Sequence, residues 1–233
     1  MGMDHQSFYD DKKKLRNAVI LRFSLVAFIM AFLLFFSAGS IRYWQAWVYW
    51  GTLVVPMIFF CAYFLKNNPA LLERRMRMKE KEKSQKILIK TSFVVFIAVW
   101  VLPGLDYRFH WSSVPTALSL ATDAFVLAGY LLCFFVMKEN EYASRIIEVE
   151  RGQKVISTGP YAYVRHPLYS CGSIIYLFSP LALGSFWTMY VALLIPVIFI
   201  IRLLHEESFL KKELKGYAEY MQKVKYRLIP YIW

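Results

Sequence analysis

The sequence has few of the residues from which metal centres and disulfide frameworks are built. Its 233 residues include only 3 cysteines and 4 histidines. Cys61, Cys133 and Cys171 each lie inside an apolar run without metal-ligand spacing, so we interpret them as small buried hydrophobic residues. The histidines are too scattered along the chain for a zinc site: they are His5, His110, His166 and His205. The sequence therefore predicts no metal centre.

A glycine-rich strand-to-helix turn is also missing from the sequence, which contains only 10 glycines. Outside the apolar runs, no alternation of strands and helices is long enough for a soluble nucleotide-binding domain. These two absences exclude a doubly wound cofactor fold. Any cofactor must therefore be bound by membrane helices and by the connections 138–167 and 205–233.

Long apolar runs are what the sequence has in abundance. The chain is 58% apolar and 18% aromatic, which is too much for one ordinary water-soluble core. Most runs approach the ~20 residues that cross ~30 Å of hydrocarbon. The runs are 19–37, 43–65, 87–102, 114–137 and the double-length stretch 168–204. The sequence predicts an all-α polytopic membrane protein of about six transmembrane helices with a C-terminal cytoplasmic cofactor pocket.

The excess of basic residues gives a formal net charge of +12, and its placement argues against a nucleic-acid partner. Most Lys and Arg residues fall in alternate connections between the runs, whereas the other connections hold only Arg42 and Arg108. This asymmetry is the positive-inside pattern. It predicts an integral, multi-pass protein in the lipid bilayer, with both termini cytoplasmic and an even number of crossings.

Two features of the N-terminal half admit alternatives. The segment 66–86 mixes Leu and Met with basic residues, and it can form a basic amphipathic helix on anionic headgroups or a plain solvated loop. Asp123 lies within the fourth run, where an ionisable side chain is costly unless it faces other helices, a partner or water. It could instead mark the start of a helix, and we leave it out of the site.

The connection between the fourth and fifth runs carries the most informative motif. Gly159 and Pro160 favour a turn, and Pro167 suits the first position of the next helix. The proline also excludes His166 from the helical region of backbone conformation. Arg165 and His166 would then lie on a rigid corner before a membrane helix, whose free amides attract anionic groups. A plain turn with interfacial tyrosines is the alternative interpretation.

A second polar stretch lies at the inner end of the last run. Arg202 and Glu206 are four residues apart and share a helix face, whereas Glu207 is rotated by ~100°. The two glutamates therefore cannot have the same role: one can neutralise Arg202 and the other can contact a ligand. A solvated helix end with ordinary ion pairs is the alternative interpretation.

A series of residues in the C-terminal part of the chain has a characteristic order and spacing. The series is Gly159, Pro160, Tyr161, Arg165, His166, Pro167, Tyr169, Gly172, Glu206, Glu207, Leu210, Gly216, Tyr217, Tyr220, Arg227 and Pro230. It resembles the isoprenylcysteine carboxyl methyltransferase and phospholipid methyltransferase superfamily of integral membrane methyltransferases. Residues 1–110 are similar only in being helical membrane sequence. We accordingly divide the chain into an N-terminal membrane region, 1–137, with about four transmembrane helices, and a methyltransferase-like region, 138–233.

The resemblance implies an S-adenosylmethionine-dependent methyltransferase, like the isoprenylcysteine carboxyl O-methyltransferases. The cofactor would be reached from the cytoplasm and a lipid-like or small acceptor from the bilayer. By motif position, the cofactor-binding residues would be Gln153, Val155, Gly159, Tyr161, His166, Pro167, Tyr169 and Glu207. The catalytic residues would be Arg202, Glu206 and Arg165, and Arg202 would anchor a lipidated carboxylate. Replacing Arg202 or Glu207 with alanine is then predicted to abolish methyl transfer with the fold intact.

This small set of residues suits methyl transfer, because a sulfonium methyl group is already activated. The protein has chiefly to align the nucleophile with the methyl carbon and to exclude water. A carboxylate or thiolate acceptor needs no strong general base, whereas an ammonium must first lose a proton. His166 or Glu206 could accept that proton. The sequence leaves the acceptor open among a prenylated cysteine, a phospholipid amine, a small thiol and a quinone-like lipid, and it leaves the oligomeric state open.

Two other functional classes share part of this pattern. Sterol and steroid reductases that use NADPH also carry Arg-His-Pro followed by Tyr, usually with Asn after the proline and Gly-Glu after the tyrosine. Here Leu168 follows the proline and Ser170 follows the tyrosine, and the tandem glutamates favour the methyltransferase. A non-catalytic protein that binds lipid or a partner would leave both polar stretches unexplained.

Overall fold

The computed structural model describes the backbone of residues 5–77 and 83–233, and the side chains of residues 12–77 and 92–233. All regular structure within these ranges is helical, which confirms the all-α prediction. The helices are α1 (His5–Ala38), α2 (Trp44–Asn67), α3 (Pro69–Met76), α4 (Lys83–Phe109), α5 (Thr116–Glu139), α6 (Pro167–Ala182), α7 (Trp187–Ala192), α8 (Leu194–Glu213) and α9 (Tyr217–Lys223), with a 3₁₀ turn at Gly159–Ala162.

Five helical stretches in the described part of the chain are long and apolar enough to cross a bilayer. They are Lys12–Ala38, Trp44–Asn67, Ser92–Phe109, Thr116–Glu139 and Trp187–Glu213. Only 17% to 28% of the most apolar window of each stretch is buried inside the protein. The remaining apolar side chains require lipid around them, because a water-soluble protein rarely exposes such an extended apolar surface. The chain is therefore a multi-pass membrane protein, and the orientation of its termini stays a prediction.

The double-length apolar run is divided into a hairpin that positions the candidate site. α6 has 16 residues, which corresponds to a rise of ~24 Å. It ends at a turn in which Gly184 has a φ of +77°, a conformation that glycine adopts without steric cost. α6 then packs on α8 at Gly172, where a Cβ atom would lie 2.8 Å from the ring of Phe199. The absence of a side chain at Gly172 lets the two helices approach closely.

α5 and α6 are antiparallel neighbours, and their contacts place the start of α6 beside the end of α5. Ser119, early in α5, donates a hydrogen bond of 2.9 Å to the carbonyl oxygen of Leu181 at the end of α6. At the other end, Val136 and Cys171 are fully buried in one cluster with Tyr161. The segment that precedes α6 therefore lies against the C-terminal end of α5.

The segment 66–86 contains the short helix α3, so the loop alternative was wrong for residues 69–76. Pro69 is in the first turn, and the side chain of Asn68 caps the helix by accepting a hydrogen bond of 3.1 Å from the Leu71 amide. Leu71 and Leu72 are buried in a cluster with Val19 and other residues of the neighbouring helices. The apolar face of this helix thus packs on the protein itself, which brings its arginines towards the 140–150 segment.

Asp123 lies in the interior of α5, so the alternative that it starts a helix was wrong. The side chain is buried and accepts a hydrogen bond of 2.5 Å from the hydroxyl of Thr52 in α2. It therefore faces a neighbouring helix, which is one of the environments that an intramembrane carboxyl requires.

α1 and α4 are in contact at Gly104. A Cβ atom at this position would lie 1.9 Å from the hydroxyl oxygen of Ser37 and 2.7 Å from the carbonyl oxygen of Leu34. Both neighbours belong to α1, and one of them is backbone, so a larger residue would have to displace the helix. Small residues at such positions are what allows membrane helices to pack closely.

We expect Gly104→Ala to lower the free energy of unfolding by about 1–3 kcal/mol, because overpacking separates the two helices. Gly51→Ala in α2 is the matched control, since a Cβ atom there would meet no atom within 4 Å. That control should be neutral or stabilising, because alanine is the better helix former by up to ~1 kcal/mol. Thermal unfolding in detergent measures the stability of both variants. Equal unfolding midpoints for Gly104→Ala and Gly51→Ala would contradict the close contact between α1 and α4.

Candidate active site

The first predicted corner forms a compact turn against the end of α5. Gly159 has a φ of +55°, and a Cβ atom there would lie 3.0 Å from the carboxyl carbon of Glu139. Tyr161 is buried, and its hydroxyl accepts a hydrogen bond of 2.9 Å from the Asn140 side chain. Burial raises the pKa of the Tyr161 phenol, so it stays neutral. As predicted, Pro167 occupies the first turn of α6, and His166 lies outside the helix with φ −127° and ψ 59°.

The C-terminal tail pairs with this corner through its backbone. The amide of Arg165 donates to the carbonyl oxygen of Tyr226, and the amide of His166 donates to that of Arg227, both at 2.9 Å. The hydroxyl of Ser170 donates to the carbonyl oxygen of Leu228 at 2.6 Å. The tail therefore binds the backbone of the corner and of the first turn of α6.

Glu207 connects the corner, α8 and the tail in one ion-pair network. Its Oε1 accepts hydrogen bonds from Nε of Arg165 at 2.6 Å and from Nε2 of His166 at 3.2 Å, and its Oε2 accepts from Nε of Arg227 at 3.0 Å. Glu207, Arg165 and His166 are each at most 6% exposed. Charge-assisted bonds of this length are strong, but removing one partner leaves the others buried without compensation. The network therefore makes the position of the corner depend on Glu207.

Glu206 takes part in a different set of contacts, as the 100° rotation between the two glutamates predicts. Its Oε2 accepts a hydrogen bond of 2.7 Å from the hydroxyl of Tyr169. The same hydroxyl accepts a hydrogen bond of 3.1 Å from Nε of Arg202. A second nitrogen of Arg202, Nη2, donates to the carbonyl oxygen of Arg145 at 2.6 Å. Tyr169, in the first turn of α6, thus connects the corner to Arg202 and Glu206 of α8.

The structure therefore brings together six of the predicted residues, on the first corner and at the inner end of α8: Arg165, His166, Tyr169, Arg202, Glu206 and Glu207. Val155 packs near this cluster, against the apolar side chains of α9 and its flanks. Gln153 occupies a local turn, where its side-chain oxygen accepts a hydrogen bond of 2.9 Å from the Glu150 amide.

Tail residues complete the cluster, and we did not predict a site role for them. The Tyr220 hydroxyl donates a hydrogen bond of 2.7 Å to the carbonyl oxygen of Tyr161. Tyr217 is 4% exposed, and its hydroxyl has no hydrogen-bond partner among the described residues. Burial and the charge of Glu207 raise the pKa of the Tyr217 phenol, which is therefore a neutral donor. Both tyrosines and Arg227 belong to the motif series, but only the folded tail shows that they meet the corner.

Ion pairs attach α3 to the segment that leads into the corner. Arg74 binds Glu150 at 2.8 Å, and Arg77 binds Glu150 at 2.9 Å and Glu148 at 2.6 Å. Hydrogen bonds from Arg74 and then Arg77 lower the pKa of the Glu150 carboxyl below its usual value. A carboxylate that is stabilised in the folded state contributes to stability only while it is ionised.

The lowered pKa of Glu150 predicts the sign of a pH effect. Its contribution to stability should be fully present above the ordinary glutamate pKa of ~4.3 and should be lost as the pH falls through the lower folded-state value. Unfolding midpoints of wild type and Glu150→Gln, measured from neutral to acidic pH, test this. The difference between the two proteins should shrink at the acid end. A difference that grows on acidification would contradict the prediction.

A surface groove of about 480 Å³ lies away from this cluster. It is lined by residues that follow the C-terminal end of α6 and by the connection before α5, among them Trp111, Phe186, Trp187 and Tyr190. Because the corner precedes the N-terminal end of α6, the groove and the cluster are at opposite ends of this helix. Exposed aromatic side chains at helix ends are typical of the membrane interface, and we assign the groove no role in the chemistry.

Comparison with known proteins supports the resemblance found in the sequence. Residues 118–216 match the family described as phospholipid methyltransferase. The fold is similar to that of a eukaryotic intramembrane Ras methyltransferase, isoprenylcysteine carboxyl methyltransferase. The two chains are 18% identical, with a TM-score of 0.54, and the match covers 92% of this chain and 77% of the other. No curated protein sequence matches this chain.

Proposed function

Starting from a multi-pass membrane protein that resembles the isoprenylcysteine carboxyl methyltransferase and phospholipid methyltransferase superfamily, we propose that it transfers a methyl group from S-adenosylmethionine to a lipid-like or small acceptor. The observation that carries the proposal is that the corner before α6 and the polar stretch at the inner end of α8 are in contact. Arg165 and His166 meet Glu207, and Tyr169 meets both Arg202 and Glu206. If these residues had been far apart, they could not have contributed to one site.

The residues present fit S-adenosylmethionine. The cluster and its flanks contain the aromatic rings of Tyr161, Tyr169, Tyr217 and Tyr220, and aromatic rings attract a sulfonium cation. The buried hydroxyl of Tyr217, which has no partner among the described residues, is available to donate to a cofactor oxygen. When bound, the cofactor supplies a methyl group on a positively charged sulfur that needs no further activation.

We assign the cofactor side to the first corner and the tail. In this assignment, the cofactor is contacted by the residues predicted from the motif: Gly159, Tyr161, His166, Pro167 and Tyr169. Gln153 and Val155, in the segment before the corner, would cover the cofactor from that direction. Glu207 acts mainly as a positioning residue, because Arg165, His166 and Arg227 already occupy its oxygens. Arg165 likewise holds the corner on the tail, by donating to the carbonyl oxygen of Val224 at 2.8 Å.

We assign the acceptor side to Arg202, Tyr169 and Glu206. Arg202 would orient an oxygen of the acceptor, and its hydrogen bond to the Tyr169 hydroxyl, which links it to Glu206, supports this role. For an ammonium acceptor, Glu206 is the carboxylate that can take the proton, and for a carboxylate acceptor no base is required.

Two measurements test the proposal on purified protein in detergent. S-adenosylhomocysteine should raise the midpoint of thermal unfolding, because a ligand that binds only the folded state stabilises it. Labelled methyl from S-adenosylmethionine should enter at least one member of a panel containing a prenylated cysteine, a phospholipid amine and a small thiol. Stabilisation by NADP instead would indicate a membrane reductase, and stabilisation by neither would indicate a non-catalytic protein.

A further inference from the structure

The segment 141–150 follows α5 and leads towards the corner, and its backbone forms turns and bends rather than a helix or a strand. A segment of this kind cannot fix its own position through a regular hydrogen-bond ladder, so contacts from other elements must do so. Its central carbonyl oxygen, that of Arg145, accepts a hydrogen bond of 2.6 Å from Nη2 of Arg202. The segment 141–150 therefore contacts the arginine that we assign to the acceptor side.

Arg74 of α3 binds both ends of the segment 141–150. Its Nη1 donates a hydrogen bond of 2.8 Å to the carbonyl oxygen of Glu141. Its Nε and Nη2 lie 2.9 Å and 2.8 Å from Oε2 of Glu150. The guanidinium also lies 5.6 Å from the centre of the Tyr142 ring. A planar guanidinium carries several donors in a fixed arrangement, so one side chain can hold two acceptors at a set distance from each other.

The helix that carries Arg74 is itself fixed to the membrane region. Leu71 and Leu72 are buried against neighbouring helices, and Nη1 of Arg22 in α1 donates a hydrogen bond of 2.6 Å to the carbonyl oxygen of Met76. The side chain of Arg74 is only 16% exposed, so its bonds are less screened by water than those of a surface ion pair. Arg74 thus connects the segment 141–150 to a packed part of the protein.

The contacts of Arg202 depend on two different parts of the chain. Its Nε binds the hydroxyl of Tyr169, which is carried by the first turn of α6. Its Nη2 binds the carbonyl oxygen of Arg145, whose position depends on the segment that Arg74 holds. If the ends of this segment were released, the second contact would be weakened and the first would remain.

We propose that Arg74 is a positioning residue for the acceptor side of the site. By holding both ends of the segment 141–150, it places the Arg145 carbonyl where that carbonyl orients Arg202. The inference rests on the proposed function, and it assigns a role in the site to a residue of the N-terminal membrane region. Because Arg74 acts through the segment, its loss should impair use of the acceptor and leave cofactor binding unchanged.

Cleavage by trypsin after Arg145 reports the position of the segment without any methyl transfer. The scissile carbonyl is the one that Arg202 binds, and the next residue, Ile146, is buried. Cleavage therefore requires local opening of the segment, and its rate follows the population of the open form. In full-length protein in detergent, Arg74→Gln should be cleaved ~10-fold faster than the wild type, which is equivalent to losing one hydrogen bond to a charged group.

Two further variants make the proteolysis specific, and the fragment masses identify the cleaved bond. Arg202→Ala should also be cleaved faster, because it lacks the donor to the Arg145 carbonyl. Arg151→Gln removes an exposed positive charge next to the segment and should be cleaved at the wild-type rate. Equal cleavage rates in Arg74→Gln and the wild type would overturn the proposal.

Steady-state kinetics then separate positioning of the acceptor side from general support of the fold. The substrates are S-adenosylmethionine and whichever acceptor of the panel the wild type methylates. Arg74→Gln should lower kcat/KM for that acceptor by ~10-fold, with an unchanged KM for S-adenosylmethionine, and Arg151→Gln should match the wild type. In the Arg202→Ala background, Arg74→Gln should cost less than ~2-fold more, because the two residues act on one contact. A further ~10-fold loss in the double variant, or an equal loss towards S-adenosylmethionine, would overturn the proposal.

The two experiments keep this inference distinct from the proposed function. If the wild type methylates no acceptor and S-adenosylhomocysteine does not stabilise it, the proposed function fails, and the proteolysis still decides whether Arg74 holds the segment. Arg74→Lys serves as a second variant, also if Arg74→Gln does not fold. Lysine can keep the ion pair with Glu150 but lacks the donors to hold both ends, so this variant should be cleaved at an intermediate rate. A wild-type rate in Arg74→Lys would overturn the role assigned to the guanidinium.

Discussion

Replacing Glu207 with alanine is expected to lower the free energy of unfolding by about 3–5 kcal/mol, because it leaves buried positive charge without compensation. Its carboxylate binds Arg165, His166 and Arg227, and Arg165 is only 6% exposed. The sequence alone predicts loss of activity with an intact fold. The burial of this network adds a large loss of stability to that prediction, with release of the tail from the corner.

Thermal unfolding and S-adenosylhomocysteine binding measure the two effects. Glu207→Ala should unfold at a lower temperature and lose most of its ligand-induced stabilisation, and Glu207→Gln should lie between it and the wild type. Glu213→Ala, at the exposed end of the same helix, is the control and should behave as the wild type does. Wild-type stability in Glu207→Ala would mean that the network does not hold the tail to the corner.

Arg202→Ala is expected to reduce kcat/KM for methyl transfer by at least ~100-fold, which is the order of loss caused by misplacing a reactant. The guanidinium contacts the hydroxyl of Tyr169 and the carbonyl oxygen of Arg145, and in the proposed function it orders the acceptor side of the site. Binding of S-adenosylhomocysteine should change little, because the Glu207 network is left in place. The variant would then bind the cofactor product but fail to turn over.

Two further variants test whether the loss of activity is specific to Arg202. Tyr169→Phe removes the hydroxyl that links Arg202 to Glu206 and should cause a smaller loss, of ~10-fold, in line with one hydrogen bond to a charged group. Lys212→Ala removes an exposed positive charge from the same helix and should have no effect. Full activity in Arg202→Ala would exclude this arginine from the acceptor side.

The candidate site was partly predictable, because both of its polar stretches can be recognised from neighbouring residues in the sequence. Pro167 predicts the start of α6, and helix geometry alone separates the roles of Glu206 and Glu207. The contribution of the tail was not predictable to the same extent. Tyr217 and Tyr220 are in the motif series, but their contacts depend on how α9 folds back on the corner.

The amino-acid sequence by itself determined the class of the protein and the residues of both corners, because hydrophobic run length, charge placement and proline position act locally along the chain. Only the tertiary structure decided which charges meet. Glu207 became a buried partner of Arg165, His166 and Arg227, which lie on the corner and on the tail. Such contacts depend on the packing of helices that are distant in sequence, and no local pattern encodes the distance between two side chains on different helices.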